Sequence, residues 1–356
     1  MHSIAGDSTS NQLQAIGWSA WFDERFSPFR ERALEPGRVT AVFGAAFAVE
    51  TGWGGTTAEL TGGLRRDLAG ATRPAAGDWV ALDLSATPAL IQAVLPRRTM
   101  ISRKAAGETT EEQVVAANVD LVFIVSALTG DLNLRRLERY LTVAYESGAE
   151  PIIVLTKADL GERLDEVRRE VETMATGAGV VMTSSVTGEG LDLIAGRLRP
   201  GVTAVLIGSS GVGKTTLINH LSGAALPTSQ VRADGRGRHT TTRRELIMLP
   251  KGGMIIDTPG LREIQLWHAD AGLGQTFADV EELAQGCRFN DCKHANEPDC
   301  AVKLAIAQGR LLEARLSSYR KLERELRALR VRSDVRLQAE ERKRWKAIHR
   351  AVRPRP

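Results

Sequence analysis

Cysteine is scarce in this sequence, with three among 356 residues, and an odd number argues against a closed disulfide framework. Long hydrophobic runs are absent as well: the longest, such as "VDLVFIVSAL", fall far short of the ~20 residues that span a bilayer. The N-terminus lacks the charged-then-apolar pattern of a secretory signal, and the chain has no low-complexity tract or internal repeat. We therefore expect a soluble cytoplasmic protein that has no membrane partner.

The composition is that of a globular protein, because 43% of the residues are hydrophobic and the length allows two or three domains. The net charge is only +4, but it is spread unevenly. From Arg320 to Pro356 the chain holds fourteen Lys and Arg against five Asp and Glu, so the rest is mildly acidic. This tail is helical by propensity and suggests a polyanionic partner, with a solvated helix face as the alternative.

The pattern of the sequence divides the chain into four parts. Residues 1–35 form an N-terminal extension with an aromatic-anchored helix in "AIGWSAWFDERFSPF". Residues 36–105 hold short β-like runs such as "RVTAVFGAAFAVET" and "DWVALDL", which suggests a small β-barrel of the OB type. After the linker "AGETTEEQVVAANVD", residues 106–275 alternate apolar strands with helices, which indicates an α/β domain with a parallel sheet covered on both faces. Residues 276–356 hold a Cys/His window and the charged helical tail.

The segment "GSSGVGKTT", residues 208–216, has the form of a phosphate-binding loop. It follows an apolar run and precedes the helical stretch "TTLINHLSG", which is the context that such a loop requires. Its glycines allow backbone N–H groups to turn toward phosphates, and the helix N-terminus favours an anion. Lys214 is expected to reach the outer phosphates, and the Thr215 hydroxyl to bind Mg²⁺.

A second strand-end motif, "DTPG", follows one strand later. Asp257 is predicted to hold Mg²⁺ through water, and Gly260 to present its N–H to the γ-phosphate. Between the two motifs lies the polar loop "GRGRHTTTRREL". In it, Thr240, Thr241 and Thr242 are candidates for the threonine that binds Mg²⁺ only when the γ-phosphate is present, and the sequence alone does not choose among them.

The segment "TKAD", residues 156–159, ends another apolar run. Asp159 could accept two hydrogen bonds from the ring N–H and the exocyclic amine of guanine, which adenine cannot supply. The Lys157 stem could lie along the base plane. In the next turn, "MTSSVTGEG", Ser184 could support the base edge. Each segment alone is a weak signal, but the two reinforce each other.

All the elements of a GTPase are thus present, in the order base reader, base support, phosphate loop, switch threonine and Mg²⁺ aspartate. In an ordinary GTP-binding domain the phosphate loop comes first. Because ligand sites in open α/β sheets gather at the C-terminal ends of the strands, joining the chain at another point preserves the site. We therefore predict a circularly permuted P-loop GTPase domain, in which the segment after "DTPG" leads outward and could pass switch movement to the Cys/His module.

The residue after "DTPG" is Leu261, where many GTPases place a water-orienting Gln. Either another group aligns the water, or hydrolysis is slow until a partner completes the site. His239, in the switch loop, either contributes to catalysis or contacts a partner. The predicted catalytic residues are His239, Lys214 and Thr241.

All three cysteines fall within "CRFNDCKHANEPDC", which offers Cys287, Cys292, His294 and Cys300. Three thiolates and one imidazole complete a tetrahedral set, as structural Zn²⁺ prefers. No position stays open for a water, so we predict one structural zinc in a C-terminal helical domain. Beside a zinc module and an OB-like barrel, RNA binding becomes the better interpretation of the basic tail.

The sequence strongly resembles the ribosome small-subunit-dependent GTPase A family over nearly its whole length. The resemblance is carried by "GRVTAVFG", "GDWV", "TKADL", "TGEGL", "GSSGVGKTTLIN", "GRGRHTTTRREL", "IIDTPGLRE" and "CRFNDCKHANEPDCAV". It implies an N-terminal OB fold, a permuted GTPase core and a C-terminal zinc domain. The family hydrolyses GTP to GDP late in assembly of the 30S ribosomal subunit, where it binds 16S rRNA and is stimulated by the ribosome. We expect a monomer.

Carried onto this chain, the family's guanine contacts are Thr156, Lys157, Ala158 and Asp159. Its phosphate contacts are Gly208, Ser209, Ser210, Gly211, Val212, Gly213, Lys214, Thr215 and Thr216. The family often has Asn where this chain has Thr156, whose hydroxyl can replace some of the amide's hydrogen bonding.

Two other functions fit parts of the sequence. One is an RNA-binding structural protein in which the nucleotide only stabilises the fold; turnover stimulated by 30S subunits would distinguish it. The other is an ATP-dependent kinase or helicase, against which Asp159 and the absence of a second substrate site both argue.

Overall fold

Two helices open the part of the chain that the computed structural model describes, which comprises residues 3–68, 70–104, 112–130, 132–175, 177–223, 245–257 and 269–333. They are α1 (Ser3–Ala15) and α2 (Ala20–Arg30), where the sequence predicted one helix. Trp18, between the two helices, and Phe22 of α2 pack against the completely buried Trp79, with ring centroids 4.7 and 5.7 Å from its own. The N-terminal extension is therefore fixed to the β-structure that follows.

A closed barrel of five strands comes next. Its strands are β1 (Glu35–Phe43), β2 (Ala46–Thr51), β3 (Gly54–Leu60), β4 (Trp79–Asp83) and β5 (Ala89–Val94), with helix α3 (Gly62–Asp67) between β3 and β4. They pair in the order β1-β2-β3-β5-β4, and β4 pairs again with β1, which closes the ring. The predicted barrel is confirmed. The run "RVTAVFGAAFAVET" is a hairpin rather than one strand, because Gly44 turns the chain at φ 64°.

A two-stranded hairpin separates the barrel from the central sheet. Its strands are β6 (Met100–Lys104) and β7 (Glu112–Ala117), which pair antiparallel. The segment predicted as a plain linker thus contains a strand, whose Val115 and Ala116 are buried. The only indication of this strand in the sequence is the short apolar run "VVAA", which the prediction of a linker passed over.

The central sheet is parallel except at one edge. Its strands are β8 (Leu121–Ala127), β9 (Glu150–Thr156), β10 (Gly179–Met182), β11 (Thr203–Ile207), β12 (Glu245–Met248) and β13 (Met254–Asp257). They lie in the order β10-β9-β8-β11-β13-β12, and only β12 runs antiparallel to its neighbour β13. At this edge Glu245 pairs with Ala41 of β1, so the sheet continues into the barrel.

Helices cover both faces of the central sheet. They are α4 (Leu134–Glu146), α5 (Leu164–Met174), α6 (Leu191–Arg197) and α7 (Lys214–Ser222). All of β8 is buried, and its alternate residues enter two separate cores. Val122 and Ile124 pack with Leu137 of α4, whereas Phe123 and Val125 face the core that contains α6 and α7. This confirms the predicted doubly covered sheet, whose strands lack polar alternation.

Four helices complete the described part of the chain. They are α8 (Asp270–Thr276), α9 (Ala278–Ala284), α10 (Ala301–Ala307) and α11 (Glu313–Ser333). Helix α8 packs closely on α4: a Cβ added to Gly272 would lie 2.1 Å from the backbone oxygen of Thr142. The last part of the basic tail, residues 334–356, lies outside the described residues.

Candidate functional site

The phosphate loop lies between β11 and α7, as predicted. Gly208, Gly211 and Gly213 all have positive φ, at 148°, 79° and 97°. A Cβ on Gly208 would lie 2.2 Å from the backbone oxygen of Val125, so only glycine fits beside β8. The loop leads into the first turn of α7, where backbone N–H groups are free of helical partners and favour an anion.

Lys214 holds this loop in shape from the inside. Its Nζ donates to the backbone oxygen of Gly208 at 2.7 Å and also to that of Ser209. The side chains of Ser210, Thr215 and Thr216 are exposed. The loop thus surrounds a cation and presents hydroxyls outward, an arrangement that suits the outer phosphates of a nucleotide.

The two predicted base-reading turns meet at the same edge of the sheet. The Ser184 hydroxyl donates to Asp159 Oδ1 at 2.5 Å and accepts from the backbone N–H groups of Val186 and Thr187 at 3.1 and 3.2 Å. Ser184 is completely buried, whereas Asp159 is exposed. A buried hydroxyl therefore fixes one carboxylate oxygen and leaves the rest of the carboxylate open to a ligand.

The first of these turns is shaped by its backbone. Lys157 adopts the left-handed conformation at φ 60°, and the following residues form a 3-10 turn from Ala158 to Leu160. The backbone N–H of Ala158 donates to the oxygen of Thr183 at 3.1 Å, which holds the two turns together.

Thr156 connects the base-reading turn to the phosphate loop. Its hydroxyl lies 2.6 Å from the backbone oxygen of Val212, to which it donates, and it is buried. The single hydroxyl donor of Thr156 is thus used on the loop carbonyl. This hydrogen bond also connects the two halves of the site, and the motif alone did not predict it.

Asp257 ends β13 beside the phosphate loop. Residues of β13 pair in parallel register with β11, Ile256 opposite Val205, so Asp257 lies one residue further toward the loop. Burial raises the pKa of Asp257; Lys214 lowers it in part, and Glu245 raises it further. A partly buried carboxylate near Lys214 is a position that a divalent cation would stabilise. The predicted residues His239, Thr240, Thr241, Thr242, Gly260 and Leu261 lie outside the described residues.

One polar side chain at the site was not predicted. Arg136, in the first turn of α4, donates from Nη1 to the Ser209 hydroxyl at 2.6 Å. The parallel pairing of β8 with β11 carries the start of α4 to the edge where the phosphate loop begins. Pairing order was the missing signal, because the sequence does not state which strands are neighbours.

The four predicted zinc ligands are brought together after α9. Their ligand atoms all lie within 4.8 Å of one another. The Sγ atoms of Cys287 and Cys300 are 3.8 Å apart, and each lies 3.5 or 3.4 Å from Nδ1 of His294. Tetrahedral zinc with sulfur at about 2.3 Å and nitrogen at about 2.0 Å requires separations of about 3.5 to 3.8 Å. The three measured separations agree with that spacing, and Cys292 lies close enough to be the fourth ligand.

The backbone of this cluster is arranged to suit thiolates. The N–H of His294 donates to the Cys292 sulfur, 3.4 Å away, and His294 itself takes the left-handed conformation at φ 57°. Cys300 is buried and immediately precedes α10. Four ligands without an open position favour a structural role over a catalytic one.

In the part of the chain that the structure describes, no helix combines the length and the apolar character needed to cross a membrane.

Comparison with known proteins agrees with this geometry. The sequence pattern of the RsgA GTPase family matches residues 94–267. The "Small ribosomal subunit biogenesis GTPase RsgA" of Opitutus terrae is 45% identical, over 96% of this chain and 97% of that protein. A solved structure, YjeQ from Thermotoga maritima, is 28% identical with a TM-score of 0.62, over 82% of this chain and 98% of the other.

A second solved structure bears on the order of the motifs. YloQ, described as a circularly permuted GTPase, is 25% identical with a TM-score of 0.60, over 83% of this chain and 96% of that one. In the present structure the base-reading strand β9 likewise precedes the phosphate-loop strand β11 in the chain. The permuted order, the closed barrel and the near-complete match to a curated relative agree, and the chain belongs to the RsgA GTPase family.

Proposed function

We propose that this chain acts in biogenesis of the small ribosomal subunit, binding the 30S particle and its 16S rRNA and hydrolysing GTP faster when bound. Relatives over nearly the whole chain carry that role in their names. The observation that carries the proposal is the junction of Thr156 with Val212, which joins a guanine-reading turn to a phosphate loop. We further propose that the protein is cytoplasmic and monomeric.

In this proposal each half of the site has its own task. Asp159, held by Ser184, accepts from the guanine edge, while the aliphatic stem of Lys157 lies along the base. The loop from Gly208 to Thr216 binds the phosphates, and Lys214 neutralises their charge. Asp257 and Thr215 are the residues that would hold Mg²⁺, which supplies a Lewis acid to the phosphate oxygens. Thr241, His239 and Gly260 complete the proposed set.

The surfaces around the core support an RNA partner. The barrel exposes Trp53 and Phe43, with 64% and 43% of each residue's surface accessible, and aromatic side chains stack on unpaired bases. In the C-terminal window the exposed Phe289 lies beside the Arg288 guanidinium, 5.5 Å away. The zinc cluster holds that window in a fixed shape. Barrel and window both favour a single-stranded or distorted rRNA segment over a smooth duplex.

The test is GTP hydrolysis measured with and without purified 30S subunits, with 50S subunits as the RNA-rich control. We expect 30S to raise the rate at least ~10-fold, below the ~10⁵-fold of dedicated activators. A non-hydrolysable GTP analogue should strengthen 30S binding relative to GDP, because only the γ-phosphate orders the switch. If 30S binds but changes neither the rate nor the nucleotide dependence, the nucleotide only stabilises the fold and the proposal is wrong.

Guanine reading is tested by Asp159→Asn. An amide presents a donor where the carboxylate accepted, so the variant should lose GTP affinity by about 100-fold and gain affinity for xanthosine triphosphate. Exposed Glu162→Gln, three residues along, is the matched control and should leave both affinities unchanged. Equal affinity of the parent protein for ATP and GTP would contradict the assignment.

A further inference from the structure

Helix α4 touches both the phosphate loop and the C-terminal helices. At its first turn Arg136 binds the hydroxyl of Ser209 in the loop. Further along, Glu138 and Arg139 bind side chains of α11, and Thr142 binds Thr276 at the end of α8. One 13-residue helix thus joins the nucleotide site to the module that contains the zinc cluster.

The contact at the C-terminal module is buried and charged. Arg315 of α11 donates to Glu138 Oε1 at 2.7 Å, and both side chains are less than 10% exposed. The same guanidinium donates to both carboxylate oxygens of Asp279 at 3.0 and 3.1 Å and lies 4.3 Å from the Phe277 ring. The Ser318 hydroxyl donates to the other oxygen of Glu138. An ion pair with this many partners fixes the position of α4 relative to α11.

The contact at the phosphate loop reaches the lysine that faces the nucleotide. Ser209 is held twice: its hydroxyl accepts from Arg136, and its backbone oxygen accepts from Lys214. A displacement of Arg136 therefore turns the peptide that orients Lys214. Because Lys214 must reach the outer phosphates, a shift of about 1 Å at this point changes a rate by up to ~100-fold.

We propose that Arg136 is a positioning residue of the phosphate loop, and that α4 makes the rate of GTP hydrolysis depend on how the C-terminal helices are seated. This rests on the nucleotide site proposed above. The route runs through packed side chains of the described residues and is separate from residues 258–268, which join β13 to α8. A partner bound to the C-terminal module thereby acts on the loop without touching it.

The first experiment is a double-mutant cycle on basal single-turnover GTP hydrolysis, without ribosomes. Arg136→Ala and Ser209→Ala should each lower the rate about 10-fold, and the double variant should be no slower than either, because both remove the same hydrogen bond. Arg136→Lys should recover part of the rate. Exposed Arg135→Ala is the matched control and should keep the parent rate.

Binding and stability separate positioning from a merely structural role. For Arg136→Ala, the dissociation constant for GDP should stay within about 3-fold, and the melting temperature within about 2 °C, while the hydrolysis rate falls. Ser209→Ala, a small change at a half-buried position, keeps the test decisive if the arginine variant unfolds. Additive penalties, or equal losses in Arg135→Ala and Arg136→Ala, would overturn the proposal.

The second experiment tests transmission from the C-terminal helices. Glu325→Ala removes the ion pair between α11 and Arg139 at the surface of the interface. It should change the basal rate at least about 3-fold in the parent protein and have no effect in Arg136→Ala. An equal effect in both backgrounds would sink the idea. All these rates are measured without ribosomes. If 30S subunits fail to stimulate hydrolysis, the proposed function is refuted, but the comparison of basal rates between variants still tests the role of Arg136.

Discussion

At the scale of single residues, Asp257 is a proposed metal ligand whose negative charge lowers the stability of the fold. Burial raises the pKa of this carboxyl; Lys214 partly opposes that rise, and Glu245 across the strand pair adds to it. The charged form of the carboxylate is therefore less stable in the folded chain than in water. Its position is explained by the ligand it is proposed to hold, and not by the stability of the fold.

Asp257→Asn should accordingly raise the melting temperature of the nucleotide-free protein at pH 7 and lower GTP hydrolysis at least about 100-fold, since Mg²⁺ loses its carboxylate. A raised folded-state pKa means that the parent gains stability as the pH falls through the window between that value and the ordinary carboxyl value. The advantage of the Asn variant should shrink over the same window. Melting curves from pH 4 to pH 7 check this; a constant or growing advantage at low pH contradicts it.

Residue motifs predicted the members of the site better than they predicted the hydrogen bonds that connect them. The types of side chain needed for phosphate, guanine and zinc are few, so "GSSGVGKTT", "TKAD" and the cysteine window could be found from the sequence. The hydrogen bonds from Thr156 to Val212 and from Arg136 to Ser209 could not. They join residues 56 and 73 positions apart, and depend on which strands are neighbours.

At the scale of elements, the Cys/His cluster would stabilise a short segment through a bound metal, in place of an apolar core. Between α9 and α10 the chain makes no regular helix or strand, and only Cys300 and His294 of the cluster are buried. Too little apolar surface is enclosed there to offset the entropy of ordering the segment. Besides its exposed ion pair and side-chain hydrogen bonds, ligand bonds to the proposed zinc would stabilise this segment.

Cys292→Ala should therefore abolish zinc binding and make the segment from Cys287 to Cys300 sensitive to protease, while the central sheet still binds GDP. Metal analysis by atomic emission and mapping of the cleavage sites provide the measurement. Exposed Phe289→Ala, in the same window, is the control and should retain one zinc. Folded parent protein purified without metal would show that the cluster does not need the ion.

The elements themselves were largely predictable where the pattern was long and regular. Apolar runs in β8, β9 and β11 and the amphipathic α4 match the predicted alternation of strands and helices. The hairpin turn at Gly44 and the strand β7 were not predicted, since short polar-flanked runs do not separate a strand from a linker. The bounds of the four predicted domains stay predictions.

At the scale of the whole molecule, one buried arginine joins the barrel to the central sheet. Arg38 of β1 donates to backbone oxygens of Gly77 and Asn118 at 3.3 and 3.1 Å, and to that of Ile16 in the N-terminal segment. Burial lowers the pKa of Arg38 to about 10, against the opposing effect of Asp120 and Asp78. One side chain thus donates to buried carbonyl groups of three separate segments, of which the Gly77 carbonyl also accepts from the Asn118 side chain.

Arg38→Met keeps the apolar stem but leaves the carbonyl groups of Ile16 and Asn118 without this donor, so we expect a loss of about 3 kcal/mol or more in the free energy of unfolding. Urea denaturation provides the measurement, with exposed Arg32→Met as the control. Barrel and core should unfold in one transition in the parent protein. A loss below about 1 kcal/mol, or two well-separated transitions, would show that the barrel is independent.

The permuted strand order also determines when neighbouring strands become available to pair during synthesis. Strand β8 is complete at Ala127, but β11, which must pair with its open edge, begins only at Thr203. At 5–20 residues per second, a translating ribosome needs about 4 to 15 s to make the intervening chain. Over that interval a strand that is completely buried in the folded protein has an unpaired edge, which is the usual starting point for wrong pairing between nascent chains. Moving the phosphate loop to the second half of the domain thus makes the nucleotide site one of the last features of the core to form.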